Sequence, residues 1–334
     1  MKVLGICGAQ GALLFPFRDH LVGNVEPRAI FHTPKEEQWK LNFGEIPFVR
    51  DPEPFFGEDI DIVLGSPSCG HSSVFSYSRK KTLGKPREDP TLNLYLASLK
   101  RILPKVFILE NLPKLLEFIP KGEFEHNLPQ YEIITHCHSV MEFGNSQKSR
   151  KRLIMVGVRR DCEYHISQFE RLFRVNVPMT VRDIEKKVRK ELNFREESSK
   201  KLAMYHYKDP LKRTLTVKEV KNLWRGEFKN EFKWPMKTHK MKTLPGVYRN
   251  RLDAYPLTIR PSNRQFNPHG RVMGLEEFRI IMGFPPEFKI YFDPNNRTYW
   301  LNKARNTITK GSVYEVGIWA KICLEKNKNK ALKS

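Results

Sequence analysis

Cysteine is scarce in this sequence, 5 in 334 residues. The thiols stand at 7, 69, 137, 162 and 323 and never form a Cys-x-x-Cys pair, so neither a zinc knuckle nor a disulfide framework is supported. No metal site is expected, and at least one thiol is left without a partner. Scattered cysteines of this kind fit a reducing compartment. Negative charge is short as well: 37 acidic residues face 59 lysines and arginines, for a net charge of +22. No apolar run is long enough to span a bilayer, so no membrane segment is expected. The opening MKVLGICGAQGALLF sets apolar residues behind a lysine. Gly5, Gly8, Gln10 and Gly11 interrupt them, and no convincing cleavage site follows, so an intracellular protein is expected. There is no internal repeat.

What is present suffices for a core: 40% of residues are hydrophobic and 22 are phenylalanine. The positive excess is spread through FSYSRKKTLGKPR, SQKSRKRL, EKKVRKEL and FKWPMKTHKMK. A lysine-rich soluble surface is the plain explanation, and the tail EKNKNKALKS needs no other. The mixture of aromatic with basic residues in several of these segments favours a polyanion that also carries bases, a nucleic acid.

Through about residue 160, short apolar runs alternate with longer amphipathic ones. MKVLGIC, LVGNVEP, DIVLGSP, KVFILEN, YEIITHCHSV and RLIMVGVRR read as strands. Between the third and fourth, Leu92, Tyr95, Leu96, Leu99 and Leu103 recur at helical spacing, with Asp89 and Thr91 suited to the helix start. Continuously apolar strands separated by helices predict an α/β fold, a doubly wound and mostly parallel sheet covered on both faces. Such sheets bind ligands outside the carboxyl ends of their strands, where Glu26, Cys69 and Glu110 fall. From 184 to 246 the chain turns charged and poor in strand runs, as a small separate module would. Compact apolar patterning then returns, with a helix expected at SVYEVGIWAKICLEK. The expected organisation is residues 1–183, an inserted module at 184–246, and 247–334 rejoining the first part.

ICGAQGA, NVEPR, DIVLGSPSC, LENLP, SQKSRKRLIMVGV, FNPHGRVMGLEEFRIIMGFPPEF and KGSVYEVG follow one another in this order. The series resembles that of the cytosine-5 DNA methyltransferases of phage and bacterial type, known from restriction-modification. Singly each motif is weak; the order and spacing make the likeness specific. It runs from residue 3 to about 325 and omits the 184–246 module, which the resemblance implies is the target-recognition domain.

The chemistry accounts for the residue types. Carbon 5 of cytosine is a poor nucleophile until a thiolate adds to carbon 6, and cysteine is the side chain suited to that addition. A lone cysteine is most often an inert buried thiol. The strand–turn setting and the downstream motifs assign Cys69 instead to the attack. By resemblance Glu110 donates to nitrogen 3 of the ring and Asn111 holds its loop. Glu110 would work best with a raised pKa, as a closed pocket provides. Arg150 and Arg152 would supply the positive field that favours a thiolate. The implied donor is S-adenosylmethionine. Gly8 and Gly11 would let the chain pass close to it, Glu26 would take the ribose hydroxyls, and Ile6, Cys7, Pro67, Ser312 and Val313 would line the site. Asp51 is assigned to the adenine amino group, with a plain loop position in RDPEPFFGED as the alternative. The implied partner is double-stranded DNA, from which the target base must be flipped. The long basic loop after Cys69 suits closure over it, and a monomer is expected.

Some residues depart from the family pattern. The family usually has Pro-Pro-Cys-Gln where this chain has Pro67-Ser68-Cys69-Gly70. Lys148 stands where glutamine is usual, and Gly311-Ser312 where Gly-Asn is usual. By resemblance, positions 70 and 312 approach the donor's reactive end. Loss of their amide side chains leaves volume that water or neighbouring side chains fill with methyl transfer unchanged. The alternative is a sulfonium donor bearing a bulkier or carboxylated group, with Lys148 or Lys310 nearby as a cation. Rival readings are the same chemistry on tRNA and a catalytically silent DNA-binding protein.

Overall fold

The computed structural model describes residues 1–8, 11–27, 32–69, 88–147, 150–191, 247–249, 264–266, 279–289 and 314–331. In chain order the elements are β1 (Val3–Ile6), β2 (Leu21–Val25), α1 (His32–Phe43), β3 (Phe48–Val49), β4 (Ile62–Gly65) and α2 (Pro90–Ile102). There follow β5 (Val106–Asn111), α3 (Leu115–Phe118), α4 (Lys121–Asn127), β6 (Tyr131–Ser139), β7 (Lys151–Arg159) and α5 (Val181–Glu191). The short strands β8 (Val247–Arg249) and β9 (Arg264–Phe266) pair with each other, and α6 (Tyr314–Ala331) is the last element.

A seven-stranded sheet runs in the order β3-β2-β1-β4-β5-β7-β6. Its first five strands are parallel; β7 is antiparallel to both β5 and β6. The fold is therefore α/β with a mostly parallel sheet, as the apolar strand runs predict. The chain builds outward from β1 to β3 on one side, then crosses to lay β4 and β5 on the other. That reversal puts a crevice at the carboxyl ends of β1 and β4, where open α/β sheets bind ligands.

Period-2 alternation divides each strand between two cores. Val3, Ile62, Leu64, Val106, Ile108, Ile154 and Val156 face a cluster completed by Phe17, Trp39, Phe43 and Trp319. Leu4, Ile6, Val63, Phe107, Leu109, Leu153 and Met155 face the other, completed by Leu92, Tyr95 and Leu99 of α2. α2 begins as its sequence dictates: the Asp89 carboxylate accepts from the backbone of Thr91 at 2.8 Å and of Leu92 at 3.3 Å, and Pro90 takes the first helical position. It ends at Leu103, which turns left-handed with φ +52°, and Pro104 prevents continuation. α5 crosses the boundary expected at 184, and the module beyond 191 lies outside the described residues.

Candidate active site

The turn after β4 carries the nucleophile candidate, and each residue before it is tied to a different partner. The Ser66 hydroxyl donates to Glu110 Oε2 at 2.6 Å. The Pro67 carbonyl accepts from Asn111 Nδ2 at 3.2 Å. The Ser68 amide donates to Thr91 Oγ1 at 2.8 Å, and Thr91 in turn donates to Asp89 at 2.6 Å. Cys69 follows and is exposed. The tethers run to the end of β5 and the start of α2, so the thiol is presented at the crevice by a braced turn.

Glu110 ends β5 and is 5% exposed. Arg152 Nε reaches its Oε1 at 2.7 Å. Burial raises the Glu110 pKa, and the opposing pulls of Arg152, of Ser66 and of Arg150 do not cancel it. This is the direction that proton donation to a ring nitrogen requires. Arg150 is buried at the entry to β7 and interacts with Cys69, Glu110 and Glu315. Burial, and next the like charge of Arg152, push its pKa well down, but a guanidinium still keeps its proton at neutral pH. The two arginines thus differ: Arg152 grips Glu110, and Arg150 donates to Gln147 Oε1 at 3.5 Å and feels the charges of Cys69, Glu110 and Glu315. Asn111 holds the Pro67 carbonyl with its amide nitrogen, while its Oδ1 accepts from Leu112 at 2.8 Å.

The donor-site candidates lie at the adjoining strand ends. Ile6 closes β1, fully buried. Cys7 takes a left-handed φ of +57°, with its amide held by the Val25 carbonyl at 2.7 Å. A non-glycine residue in this region is strained by about 1 kcal/mol. The Gly8 amide donates to Asn24 Oδ1 at 3.2 Å, so Asn24 fixes the turn from the neighbouring strand. Gly11 has φ +86°, and a Cβ there would lie 2.2 Å from the Phe43 ring, so glycine is required. Glu26 follows β2, 3% exposed, with its amide on the Val49 carbonyl at 2.7 Å. A close-approach turn beside a strand-end carboxylate suits a nucleoside: the backbone can approach it, and the carboxylate can accept from a ribose diol. These residues fit the implied donor. Asp51 lies just past β3, and its Oδ1 accepts from the Glu53 amide at 2.9 Å, a local turn contact. Ser312, Val313, Gly70, Lys148, Lys310 and Gly311 lie outside the described residues, and with them the enlarged donor pocket.

Sequence reasoning gave no site role to Ser66, Thr91, Asn24, Asn145, Gln147 or Glu315. Ser66, Asn24, Gln147 and Glu315 lie inside the motifs DIVLGSPSC, NVEPR, SQKSRKRLIMVGV and KGSVYEVG, and Thr91 lies at the expected helix start, so a signal was present for all but Asn145. The Asn145–Gln147 and Asp89–Thr91 contacts are local, whereas Ser66–Glu110, Gly8–Asn24 and Asn145–Glu315 meet only through tertiary contact. Among the described residues no group of side chains could hold a metal, and no helix is long and apolar enough to cross a membrane.

The profile for C-5 cytosine-specific DNA methylase matches residues 28–301. A Type II methyltransferase, M.Bpa9945I of Bacillus paralicheniformis, is 26% identical over 141 residues; the match covers 37% of this chain and only 31% of that protein. Among solved structures, the Entamoeba histolytica methyltransferase EhMeth superposes with a TM-score of 0.61 at 13% identity, covering 96% of this chain and 97% of its own. A candidate DNA modification methyltransferase encoded within an E. coli prophage gives 0.60 at 14%, covering 96% and 99%. At such identities these two speak for the fold alone, while the profile spans most of the sequence. The chain belongs to the C-5 cytosine-specific DNA methylase family.

Proposed function

We propose that this chain methylates carbon 5 of cytosine in double-stranded DNA. The observation that carries the reading is the braced turn leading to Cys69, whose Ser66 and Pro67 are tied to the buried Glu110 and to Asn111, with Arg152 paired to Glu110. Cys69, as thiolate, adds to carbon 6 and drives the ring electrons toward carbon 5. Glu110 gives its proton to nitrogen 3 as that addition develops, so the ring never holds the full negative charge. The Gly8–Gly11 turn and Glu26 would hold S-adenosylmethionine, which when bound would supply the methyl group that carbon 5 accepts. Loss of the carbon-5 proton to solvent and departure of the Cys69 thiolate restore the aromatic ring, and Glu110 recovers its proton from nitrogen 3. Arg150 favours the thiolate at both ends of the cycle, and Arg152 keeps Glu110 aimed. The net charge of +22 supports a polyanionic substrate. Choice of sequence is proposed to reside in residues 184–246, whose lysines and arginines suit groove edges and phosphates.

The test is Cys69→Ser, assayed for 5-methylcytosine by nucleoside mass spectrometry and for DNA affinity in parallel. Turnover should vanish while affinity stays within about 3-fold, because phosphate contacts elsewhere dominate binding. Wild-type protein should also form a covalent adduct with 5-fluorocytosine DNA. Methylation surviving in the serine variant removes Cys69 as nucleophile. Trapping on 5-fluorocytosine tRNA but not on DNA would transfer the chemistry to RNA, and trapping on neither would favour a silent binding protein.

A further inference from the structure

A buried acid on α6, outside the reaction described above, connects to the catalytic arginine. Glu315 is 2% exposed in the first turn of the helix. Its Oε1 accepts from Asn145 Nδ2 at 2.9 Å. The Asn145 Oδ1 accepts from the Gln147 amide at 2.9 Å and from Gln147 Nε2 at 3.3 Å. Gln147 Oε1 accepts in turn from Arg150 Nη1 at 3.5 Å. Donors and acceptors thus alternate from the α6 carboxyl to the guanidinium that interacts with Cys69. Space for the carboxyl is built in: Gly283 has φ +75°, and a Cβ there would lie 2.4 Å from Oε1. Neither a core-filling residue nor a surface acid would need such a cradle.

We propose that Glu315 is a positioning residue: through Asn145 and Gln147 it holds Arg150 in place, and its protonation state sets how much of the Arg150 charge is left for the Cys69 thiolate. Burial, against weaker pulls from Asn145 and Arg150, moves its pKa up to about 8. Below that value the carboxyl is neutral and Arg150 is shared between Glu110 and Cys69. Above it a second anion competes for the same guanidinium. Among the described residues, the charged and titratable groups on the elements packed around Glu315 include Arg150 just before β7, Arg279 beside the Gly283 turn, Tyr314 on its own helix, and Arg18 and Glu287, which act on Tyr314. Arg279 gives its Nη1 to the Phe284 carbonyl at 2.9 Å, and Arg150 is the cation that acts on Glu315. The Tyr314 phenol is pushed up by burial and by Glu315 itself, so it stays neutral where Glu315 titrates. This proposal rests on Cys69 being the reactive thiol.

The test is independent of turnover. Purified full-length protein is treated with iodoacetamide across pH 6 to 10, and modification of the Cys69 peptide is followed by mass spectrometry. Glu315→Gln keeps an oxygen acceptor for Asn145 but cannot ionise. The two profiles should coincide below about pH 7 and part above about pH 8, with the variant roughly 2-fold faster near pH 8.5. Coincident profiles at every pH overturn the proposal, and so does a variant slower throughout, which would mean a purely structural carboxyl. Linkage is reciprocal, so the wild-type fold supplies a second measurement. Carboxyl NMR should show the glutamate that titrates near pH 8 moving down by a few tenths of a unit when Cys69 is replaced by serine. No movement there also overturns the proposal. If alkylation behaves as expected but no 5-methylcytosine is ever formed, the proposed reaction fails and the coupling stands.

Discussion

Replacing Glu110 by glutamine should separate catalysis from stability. The carboxyl is held by Ser66 at 2.6 Å and Arg152 at 2.7 Å, which suggests an ion pair whose loss would unfold the protein. The proton balance says otherwise. Burial raises the Glu110 pKa in spite of Arg152, Ser66 and Arg150, so the shift is already net of every attraction those groups supply. A carboxyl with a raised folded-state pKa binds its proton more tightly folded than unfolded. The stability it lends is complete below the unfolded pKa and is lost as pH rises through the folded value. The fold therefore favours the neutral carboxyl more than the unfolded chain does, and a neutral isostere keeps that form. Glu110→Gln should be at least as stable as wild type at pH 7, read by urea denaturation. The same change removes the proton that nitrogen 3 must receive, so kcat should fall by about 10²- to 10⁴-fold. A variant less stable by more than about 2 kcal/mol, or one within about 10-fold of wild-type turnover, refutes the reasoning.

Ser68→Pro restores the residue usual in the family but deletes the amide that donates to Thr91, and should cost about 1 to 2 kcal/mol and slow turnover, read by denaturation and initial rates. Gly11→Ala, at φ +86° with Phe43 2.2 Å from the new methyl, should lose more than about 2 kcal/mol and weaken donor binding, measured by calorimetry. His138 is buried against Phe143, and burial holds its imidazole down to about 4. The unfolded chain then takes up the proton first, so stability present above pH 6.5 is lost on the way down, by roughly 3 kcal/mol at pH 4. His138→Leu should flatten denaturation midpoints between pH 6.5 and 4 relative to wild type, and parallel curves would refute this.

Most of the six main strands were legible because sheet strands buried on both faces must be apolar almost without interruption, as in VLGI, IVLG and VFILEN, whereas edge strand β6 mixes buried and exposed positions. The cap of α2 was legible for a local reason, since Asp89 needs only its own next residues. Strand β3 was not: two residues, Phe48 and Val49, offer no period, and pairing with β2 alone defines them. α1, HTPKEEQWKLNF, hides its buried face because Trp39 and Phe43 are nearly its only apolar residues. In the site, Cys69 could be proposed because the chemistry asks for a thiolate on a strand–turn, and Glu110, Arg150 and Arg152 because the motif series resembles that of the family. Their braces could not: Ser66 meets Glu110 across 44 positions, and Asn145 meets Glu315 across 170. Only the folded chain pairs such residues.

The departure at Ser68 shows how one stiffness replaces another. A proline before the nucleophile fixes φ by its ring and has no amide to donate. Serine gives up that covalent restraint but gains an N–H, and Thr91 Oγ1 stands 2.8 Å away to accept it. Thr91 can accept because its own proton is committed to Asp89, whose same oxygen caps α2. Placement of the thiol is thereby joined to the start of a helix packed on the sheet. The consequence is a dependence that a proline turn would not have: fraying at the start of α2 would loosen Cys69 as well. The nucleophile turn and the first turn of α2 should thus rise and fall together, and the Asp89–Thr91–Ser68 chain is the physical link between them.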